Sequence, residues 1–351
     1  MIGSTQPLDR CYDVALLDLD GVVYVGEEPV AAAPEALAAA RRDGMRLAFV
    51  TNNASRTPSQ VADLLRRVGV PAEPSEVITS SHAAAHYLAD RLPAGAAVLV
   101  LGTTGLIDAV SERGLTPVFS ADDDPAAVVQ GYSPDLDWRA LAEGAVAIRR
   151  GVPWLATNLD PTVPSPRGPL PGNGSLVAAL RHATGVVPKA TGKPDPTMHA
   201  ESVLRSSATN PLVVGDRLDT DIEGARRVGC ASLLVLTGVG TPAELLDAEP
   251  AHRPDYFGRD VSALRLRHPE PSFVDRTVRC GGATVRLEGS ELVLVDARDE
   301  TGDGLDPLRA LASAAWRLAD AGTAYTRVTA QGDGAAALLA ELGIGDEGPA
   351  R

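Results

Sequence analysis

Residues 16–24 have the sequence LLDLDGVVY, in which two aspartates stand two residues apart at the end of an apolar run. Because side chains alternate along a strand with a period of two, Asp18 and Asp20 are predicted on one side of the backbone and the leucines on the other. The apolar flanks indicate a buried strand of a parallel sheet, which presents functional groups at its carboxyl end. Gly21 allows a sharp exit and a close approach of the backbone to a ligand. For the stretch alone, a strand end followed by a solvated acidic turn is the favoured interpretation.

The composition limits the class of protein. A chain of 351 residues predicts two or three domains. A formal net charge of -14 argues against nucleic acid as a partner, because clustered Lys and Arg are needed to bind phosphate backbones. No run approaches the roughly 20 apolar residues of a membrane span, and the first residues lack a signal-peptide pattern. We therefore expect a cytoplasmic protein that binds neither nucleic acid nor membrane.

The cysteines and histidines show no metal-binding pattern. Cys11, Cys230 and Cys280 are widely spaced and odd in number, so reduced thiols are expected, without a disulfide framework or a zinc site. His82 and His86 share a helical face at i, i+4, but no third ligand lies nearby in the sequence. They are interpreted as ordinary helix residues.

Strand and helix periodicities alternate in two separate sets. One set occupies residues 12–69 and resumes after residue 186, and the other lies between them. Such alternation predicts parallel sheets covered by helices. We predict a discontinuous core domain (1–81 and 186–266) and an inserted α/β domain (82–185), placed where it could act as a lid over the carboxyl ends of the core strands.

A small α+β domain is predicted at residues 272–345, after a linker rich in Pro, Arg and His. Its predicted order is two strands, a helix, a strand and a helix. This order resembles part of an acetyltransferase of the GCN5-related kind, but residues 279–282 and 299–304 are poor candidates for a loop that binds acyl-CoA. A structural or regulatory role is therefore favoured over acyl transfer.

The second predicted strand of the core, residues 46–51, ends in Thr51, Asn52 and Asn53 just before a helix. A strand-to-helix turn of this kind offers backbone N–H groups, a hydroxyl and a helix dipole to an anion. Taken alone, the same residues could simply cap and turn the chain.

Two further polar stretches follow the inserted domain. Lys193 stands between Gly192 and Pro194, and the proline restricts the lysine to extended conformations. The apolar strand predicted at 211–216 ends in Asp216, and Asp221 follows five residues later. Carboxylates and a carbonyl are ligands that suit Mg2+. With a positioned lysine, these groups could neutralise a phosphoryl group and allow a carboxylate to attack it, which predicts metal-dependent phosphoryl transfer through an aspartyl phosphate.

The order D-x-D-G, Thr-Asn-Asn, an inserted α/β domain, G-K-P and G-D-x-x-x-x-D resembles the haloacid dehalogenase (HAD) superfamily of phosphatases. An insert in this position is similar to the C2-type cap of class IIA, which includes p-nitrophenyl phosphatase-like, phosphoglycolate and pyridoxal phosphate phosphatases. The implied fold is a Rossmann-like parallel-sheet core with this cap and a small C-terminal α+β domain. Residues 215–224 (GDRLDTDIEG), residues 170–175 (LPGNGS) and the C-terminal extension are similar to actinobacterial glycerol-3-phosphate phosphatases.

The resemblance implies a role for each acidic residue. Asp18 would be the nucleophile, and Asp20 would protonate the leaving alkoxide and then activate water. The Asp18 carboxylate, the Asp20 backbone carbonyl and Asp216 would hold Mg2+. Asp221 would orient the site rather than bind the metal directly.

The resemblance also assigns the substrate-binding residues. Thr51, Asn52 and Asn53 would bind the phosphoryl oxygens, and Lys193 would bridge the phosphate and the nucleophile. Specificity is expected in the cap, where residues 158–160 and 171–175 could face the core, although turn chemistry is the favoured explanation for both stretches. In this class the cap is typically also the surface of a homodimer.

The predicted function is Mg2+-dependent hydrolysis of a small phosphorylated metabolite, with glycerol 3-phosphate as the first candidate. Phosphoglycolate and pyridoxal phosphate remain alternatives, as does a phosphatase whose C-terminal domain is a ligand-binding regulatory module. A dinucleotide-binding Rossmann domain is disfavoured because G-x-G-x-x-G does not follow the first strand, and because Asp18 and Asp20 would repel pyrophosphate.

Overall fold

The computed structural model describes residues 1–163 and 167–345. Three residues of the predicted cap, 164–166, and the last six residues of the chain lie outside these ranges. The strands of the described residues are β1 (Val14–Leu17), β2 (Tyr24–Val25), β3 (Glu28–Pro29), β4 (Arg46–Thr51), β5 (Val77–Thr79), β6 (Ala97–Leu101), β7 (Thr116–Val118), β8 (Ala127–Gln130), β9 (Trp154–Ala156), β10 (Thr162–Val163), β11 (Leu170–Pro171), β12 (Lys189–Ala190), β13 (Pro211–Gly215), β14 (Ala231–Val235), β15 (Tyr256–Gly258), β16 (Ser272–Val274), β17 (Thr277–Cys280), β18 (Ala283–Glu288), β19 (Glu291–Ala297) and β20 (Arg327–Ala330).

The α-helices of the same residues are α1 (Leu8–Cys11), α2 (Ala33–Arg42), α3 (Pro58–Arg67), α4 (Ser80–Ala89), α5 (Thr104–Glu112), α6 (Trp138–Arg149), α7 (Asn173–Thr184), α8 (Pro196–Ser206), α9 (Glu223–Arg227), α10 (Pro242–Leu246), α11 (Asp306–Asp320) and α12 (Asp333–Glu341). None of the helices in the described part of the chain has the length and apolar character needed to cross a membrane.

The chain divides into two compact units. The first consists of Met1–Leu47 and Asn210–Arg351, and the second of Ala48–Thr209. The first unit contains a parallel sheet in which β1 pairs with β13, β13 with β14, and β14 with β15. Leu17 at the end of β1 lies opposite Val214 in β13. Because adjacent parallel strands end at the same edge, the residues that follow β1 and β13 are brought side by side.

The C-terminal part of the first unit forms a second sheet with the order β16-β17-β18-β19-β20. The first four strands are antiparallel, and α11 connects β19 to the parallel strand β20. Only two strands were predicted before this helix. The strand β16 is fully exposed and therefore lacks the apolar alternation of a half-buried strand, whereas β17 alternates over only four residues, with Val278 and Cys280 buried.

One hydrophobic cluster joins the two sheets of the first unit. Buried residues of the parallel-sheet region, such as Leu234 and Phe257, belong to the same cluster as Val285 of β18 and Leu311 of α11. The indole N–H of Trp316 donates to the carbonyl oxygen of Leu245 at 2.9 Å. The C-terminal elements therefore share a continuous core with the parallel sheet.

The second unit contains the parallel pair β4 and β5 and a five-stranded parallel sheet with the order β12-β9-β8-β6-β7. Helices cover both faces of this sheet, as the period-two alternation of β6 shows. Val98 and Val100 pack in a cluster with residues of α4 and α5, whereas Leu99 and Leu101 pack with residues of α6 and α7. The inserted α/β fold thus follows from apolar residues on both sides of each strand.

Candidate active site

The D-x-D-G stretch leaves β1 in a tight loop. The Asp18 N–H donates to the carbonyl oxygen of Val214 at 2.8 Å, which extends the pairing with β13 by one residue. The Gly21 N–H donates to the carbonyl oxygen of Tyr24 at 2.8 Å, so the chain turns back immediately after Asp20. Gly21 has a φ of +82°, and a Cβ there would lie 2.5 Å from Asp216 Oδ2. A glycine is therefore required by both the backbone conformation and the close approach of Asp216.

Three carboxylates converge at this edge of the parallel sheet. Asp18, Asp216 and Asp221 each offer one oxygen, and these oxygens all lie within 4.8 Å of one another. Asp216 and Asp221 are buried, and Asp18 is half-buried. Buried carboxylates this close together repel one another unless a cation neutralises them, and hard oxygen ligands suit Mg2+. The donor set therefore fits a magnesium ion, and it includes Asp221 as a neighbour of the two predicted ligands.

Asp221 reaches this cluster through an unusual helical turn. Leu218–Ile222 form a π-helical turn, and α9 begins only at Glu223. Turns of this kind are frequent at functional sites. Asp221 packs closely on the end of β13, since a Cβ on Gly215 would lie 2.2 Å from the Cβ of Asp221.

The loop after β14 encloses Asp216, and none of its residues is among the predicted site residues. The N–H of Val239 donates to Asp216 Oδ2 at 2.8 Å, and the N–H of Gly240 donates to the Asp216 carbonyl oxygen at 2.9 Å. The Thr237 hydroxyl donates to the carbonyl oxygen of Gly21. A Cβ on Gly238 would lie 2.0 Å from Asp216 Oδ2. The signal in the sequence was two glycines closely spaced after an apolar strand.

In the second unit, β4 ends at the buried residue Thr51, which is followed by the predicted phosphate-binding turn. The Asn53 N–H donates to the Thr51 hydroxyl oxygen at 3.1 Å. The Asn53 side-chain oxygen accepts hydrogen bonds from the N–H and the hydroxyl of Ser55, at 2.8 and 2.7 Å. The Asn53 carboxamide therefore stabilises the turn itself, as asparagines commonly do.

Asn52 and Lys193 are 141 residues apart in the chain, and the structure brings them together. Asn52 Oδ1 accepts the Lys193 N–H at 2.8 Å, and Asn52 Nδ2 donates to the Lys193 carbonyl oxygen at 3.2 Å. Lys193 is 6% exposed, and its peptide bond to Pro194 is cis. Two of the predicted substrate-binding residues are thus direct neighbours.

The two cap stretches considered for specificity contact each other. Asn173 Nδ2 donates to the carbonyl oxygen of Asn158 at 2.8 Å, and Ser175 Oγ donates to that of Pro161 at 2.7 Å. Asn158 Nδ2 in turn donates to the carbonyl oxygen of Asn52 at 2.8 Å. The favoured explanation, turn chemistry, accounts for these contacts, which also place the 158–160 turn beside Asn52.

Comparison with known proteins defines the class. Residues 15–116 match the haloacid dehalogenase-like hydrolase family, and residues 190–264 match a second family described as HAD-hydrolase-like. Residues 280–344 match a GCN5-related N-acetyltransferase-like domain. With the relatives described next, these matches show that the chain belongs to the haloacid dehalogenase-like hydrolases. The family and the α/β fold predicted from the four motifs are confirmed.

The similar proteins are phosphatases. D-glycerol 3-phosphate phosphatase of Mycobacterium tuberculosis is 45% identical over 337 residues, covering 93% of each chain. Acid sugar phosphatase of Staphylococcus aureus is 36% identical over 232 residues, covering 66% of this chain and 88% of the relative. The protein is therefore a phosphatase of this family, as predicted.

Solved structures agree with this assignment. The crystal structure of glycerol phosphate phosphatase from M. tuberculosis in complex with magnesium has a TM-score of 0.87 and 42% identity, covering 98% of this chain and all of the other. The p-nitrophenyl phosphatase from Archaeoglobus fulgidus has a TM-score of 0.66 and 28% identity, covering 72% of this chain and 98% of the other. The magnesium in the first structure agrees with the predicted cofactor.

The loop around Asp216 leads to a prediction about metal affinity. Replacing Gly238 with alanine places a methyl group against the Asp216 carboxylate, so we expect the half-saturating Mg2+ concentration for activity to rise by about 10- to 100-fold. Gly334→Ala is the matched control, because a Cβ there meets no atom within 4 Å. Unchanged Mg2+ dependence in Gly238→Ala would show that the loop does not position Asp216.

Proposed function

We propose that the protein hydrolyses glycerol 3-phosphate to glycerol and phosphate, with Mg2+ as its cofactor. The observation that carries this proposal is the convergence of the Asp18, Asp216 and Asp221 carboxylates at the carboxyl ends of β1 and β13. The similarity to the M. tuberculosis phosphatase over 93% of both chains supports the choice of substrate.

The chemistry proposed for the site uses Asp18 and Asp20. Asp18 attacks phosphorus, and the bond from phosphorus to the substrate oxygen breaks while Asp20 gives its proton to that oxygen. The product is an aspartyl phosphate and a free alcohol. Asp20 then takes a proton from water, which attacks phosphorus, releases phosphate and restores the Asp18 carboxylate. Asp20 is exposed and follows the half-buried Asp18 by two residues. This exposure suits an acid that must reach both the leaving group and water.

We propose that the Asp18 and Asp216 carboxylates and the Asp20 carbonyl hold Mg2+, and that Asp221 orients the site. When bound, the ion supplies positive charge that reduces the repulsion between a carboxylate nucleophile and a phosphate ester. Thr51 and Lys193 are proposed to bind the phosphoryl oxygens. Asn52 and Asn53 belong to the same turn, but their carboxamides are engaged with Lys193 and Ser55. We therefore propose that they shape this turn.

The test of this function is a panel of phosphate esters assayed for phosphate release with and without Mg2+. We expect glycerol 3-phosphate to give the highest kcat/KM among esters that include phosphoglycolate, pyridoxal phosphate and p-nitrophenyl phosphate. Chelation with EDTA should stop release, and added Mg2+ should restore it. If another ester is tenfold better, the proposed substrate is wrong, and release that survives chelation would overturn the proposed role of the metal.

We propose that residues 272–345 are a structural or regulatory domain rather than an acyltransferase, beside a core domain at 1–81 and 186–266 and a cap at 82–185. An acyl-CoA pyrophosphate would need an anion site such as a helix N-terminus. At the start of α11, however, Asp299 Oδ1 accepts the Asp306 N–H at 3.2 Å, and Asp306 accepts the N–H groups of Gly282 and Glu300. These carboxylates occupy the N–H groups and would repel an anion.

We propose that the protein is a homodimer that associates through the cap. We also propose that it is cytoplasmic, because the charge of a phosphate group keeps its substrates from crossing membranes. Two large apolar side chains of the second unit support this surface: Trp138 is 79% exposed and Phe119 is 60% exposed. Exposed aromatic residues are typical of protein interfaces. Analytical ultracentrifugation should show a dimer that Trp138→Glu converts to monomer, whereas Val187→Glu, at another exposed apolar side chain of the second unit (64% exposed), should leave the dimer intact. A monomeric wild type would contradict the proposal.

A further inference from the structure

We propose that Asn52 is a positioning residue. Its carboxamide holds the backbone of Lys193 and thereby fixes the Cα atom from which the lysine side chain extends. The inference rests on the proposed function, because Lys193 matters to the reaction only if it binds the phosphoryl group. It concerns residues of the second unit alone. The family resemblance implies a different role for Asn52, which is contact with the phosphoryl oxygens.

The Asn52 carboxamide pairs with the peptide backbone of Lys193. Asn52 Oδ1 accepts the Lys193 N–H at 2.8 Å, and Asn52 Nδ2 donates to the Lys193 carbonyl oxygen at 3.2 Å. One planar carboxamide therefore satisfies both backbone polar groups of the same residue. This pairing fixes the Lys193 backbone on both sides of its Cα atom.

Both N–H groups of the Asn52 side chain already have acceptors in the protein. A carboxamide nitrogen has two N–H groups to donate. In Asn52 one goes to the Lys193 carbonyl oxygen and the other to Asp160 Oδ2, at 3.3 Å. A carboxamide can bind an ionised phosphoryl oxygen only through its N–H groups, and both of those groups in Asn52 are already engaged. The geometry thus favours a role through Lys193 over direct contact with substrate.

Asn52 is itself held in place by neighbouring side chains. Its carbonyl oxygen accepts hydrogen bonds from Ser80 Oγ at 2.6 Å and from Asn158 Nδ2 at 2.8 Å. The approach to the lysine loop is also close, because a Cβ on Gly192 would lie 2.3 Å from the Thr157 carbonyl oxygen and 2.8 Å from Asn52 Oδ1. Asn52 is therefore a fixed support, and its position depends on both β4 and the turn after β9.

The consequence for catalysis follows from the flexibility of lysine. The ammonium group lies at the end of a four-carbon stem, so a backbone shift at Lys193 moves the charge relative to the phosphate it stabilises. A misplacement of about 1 Å in such a group can cost about 100-fold in rate. Loss of the Asn52 carboxamide should therefore weaken catalysis through the lysine.

A double-mutant cycle with Asn52→Ala and Lys193→Ala tests this inference. We expect Asn52→Ala to lower kcat by about 10- to 100-fold with a smaller change in KM. In the Lys193→Ala background the same substitution should cost less than about twofold, because the residue that it positions is already absent. Losses that multiply in the double variant would mean that Asn52 acts on the substrate directly, which overturns the inference.

Hydrogen exchange at the Lys193 amide provides a second readout that does not need activity. The partner of this N–H is Asn52 Oδ1, so exchange should become at least tenfold faster in Asn52→Ala. Asn210→Ala is the matched control, since its carboxamide donates to the Cys11 carbonyl oxygen within the first unit and does not contact Lys193. Unchanged exchange at Lys193 in Asn52→Ala would overturn the inference.

The two readouts separate the inference from the proposed function. If the wild type releases no phosphate from any ester, the function fails, and amide exchange alone decides whether Asn52 holds Lys193. Thermal unfolding shows whether each variant is folded. If the alanine variant does not fold, Asn52→Ser takes its place, because the shorter side chain cannot reach both backbone groups of Lys193.

Discussion

Asp18→Asn is expected to abolish phosphate release, with kcat lower by about four orders of magnitude or more. The amide has the size of the carboxylate but is not a nucleophile toward phosphorus. The fold should be retained, because the contact of Asp18 with β13 is made by its backbone N–H, which the substitution does not change. Steady-state phosphate release is the first measurement. Acid quenching with a radiolabelled ester should trap label on the wild type and none on the variant.

Asp13→Asn is the matched control for this experiment. Asp13 immediately precedes β1, at the opposite end of the strand from Asp18, and its carboxylate pairs with Arg46 at 3.0 Å on the surface. A surface ion pair of this kind contributes little, so we expect activity within about twofold of the wild type. Full activity in Asp18→Asn would remove this residue as the nucleophile and with it the proposed aspartyl phosphate.

Arg309→Met is expected to lower the free energy of unfolding by about 3–5 kcal/mol. Arg309 is 1% exposed. Its Nη1 donates to Asp303 Oδ1 at 2.9 Å and to Asp306 Oδ1 at 3.0 Å, and its Nη2 donates to the Phe257 carbonyl oxygen at 2.9 Å. Removing the guanidinium leaves two acidic groups without their buried cation, inside the core that joins the two sheets of the first unit. Urea unfolding followed by tryptophan fluorescence measures the effect, since Trp316 lies in the same cluster.

Arg298→Met is the control for this prediction. Its side chain is 74% exposed and pairs with Asp296, so the expected change is within about 0.5 kcal/mol. An Arg309→Met variant as stable as this control would show that the buried ion pairs do not stabilise the core.

The buried ion pair of Arg309 and Asp306 predicts that the free energy of unfolding depends on pH. Burial acts to raise the pKa of Asp306, but hydrogen bonds from Thr301, Glu300 and Gly282 and the charge of Arg309 outweigh burial and hold the pKa below its ordinary value. A lowered pKa in the folded state means that the ionised group stabilises the fold above its unfolded pKa of about 4. This contribution should be lost as the pH falls through the lower folded pKa, and the loss should be smaller in Arg309→Met.

Local patterns were sufficient for much of the fold. The strand predicted at 46–51 has the same bounds in the structure. Apolar runs of this kind are bounded by turn residues a few positions away, so a short window contains the information. The grouping of Asp18 with Asp216 was also predictable, because parallel strands of one sheet end at the same edge.

Other features depend on residues distant in the chain. The loop at Thr237–Gly240 contacts Asp216, which lies more than twenty residues earlier in the chain. Gly238 is required there only because the Asp216 carboxylate packs against it, and the local sequence does not show that contact. The exposed strand β16 has no apolar alternation, and its pairing with β17 became visible only in the sheet. In each case the deciding contact is made by packing rather than by a local periodicity.

The sequence by itself determined the class of this protein, because its reacting groups sit at strand ends whose spacing and order can be read along the chain. Only the tertiary structure decided which polar groups contact one another. The Asn52 carboxamide pairs with the Lys193 backbone 141 residues away, and Arg309 is buried between Asp303 and Asp306. Hydrogen bonds and desolvation depend on which groups meet in space, and one-dimensional patterns do not contain that information.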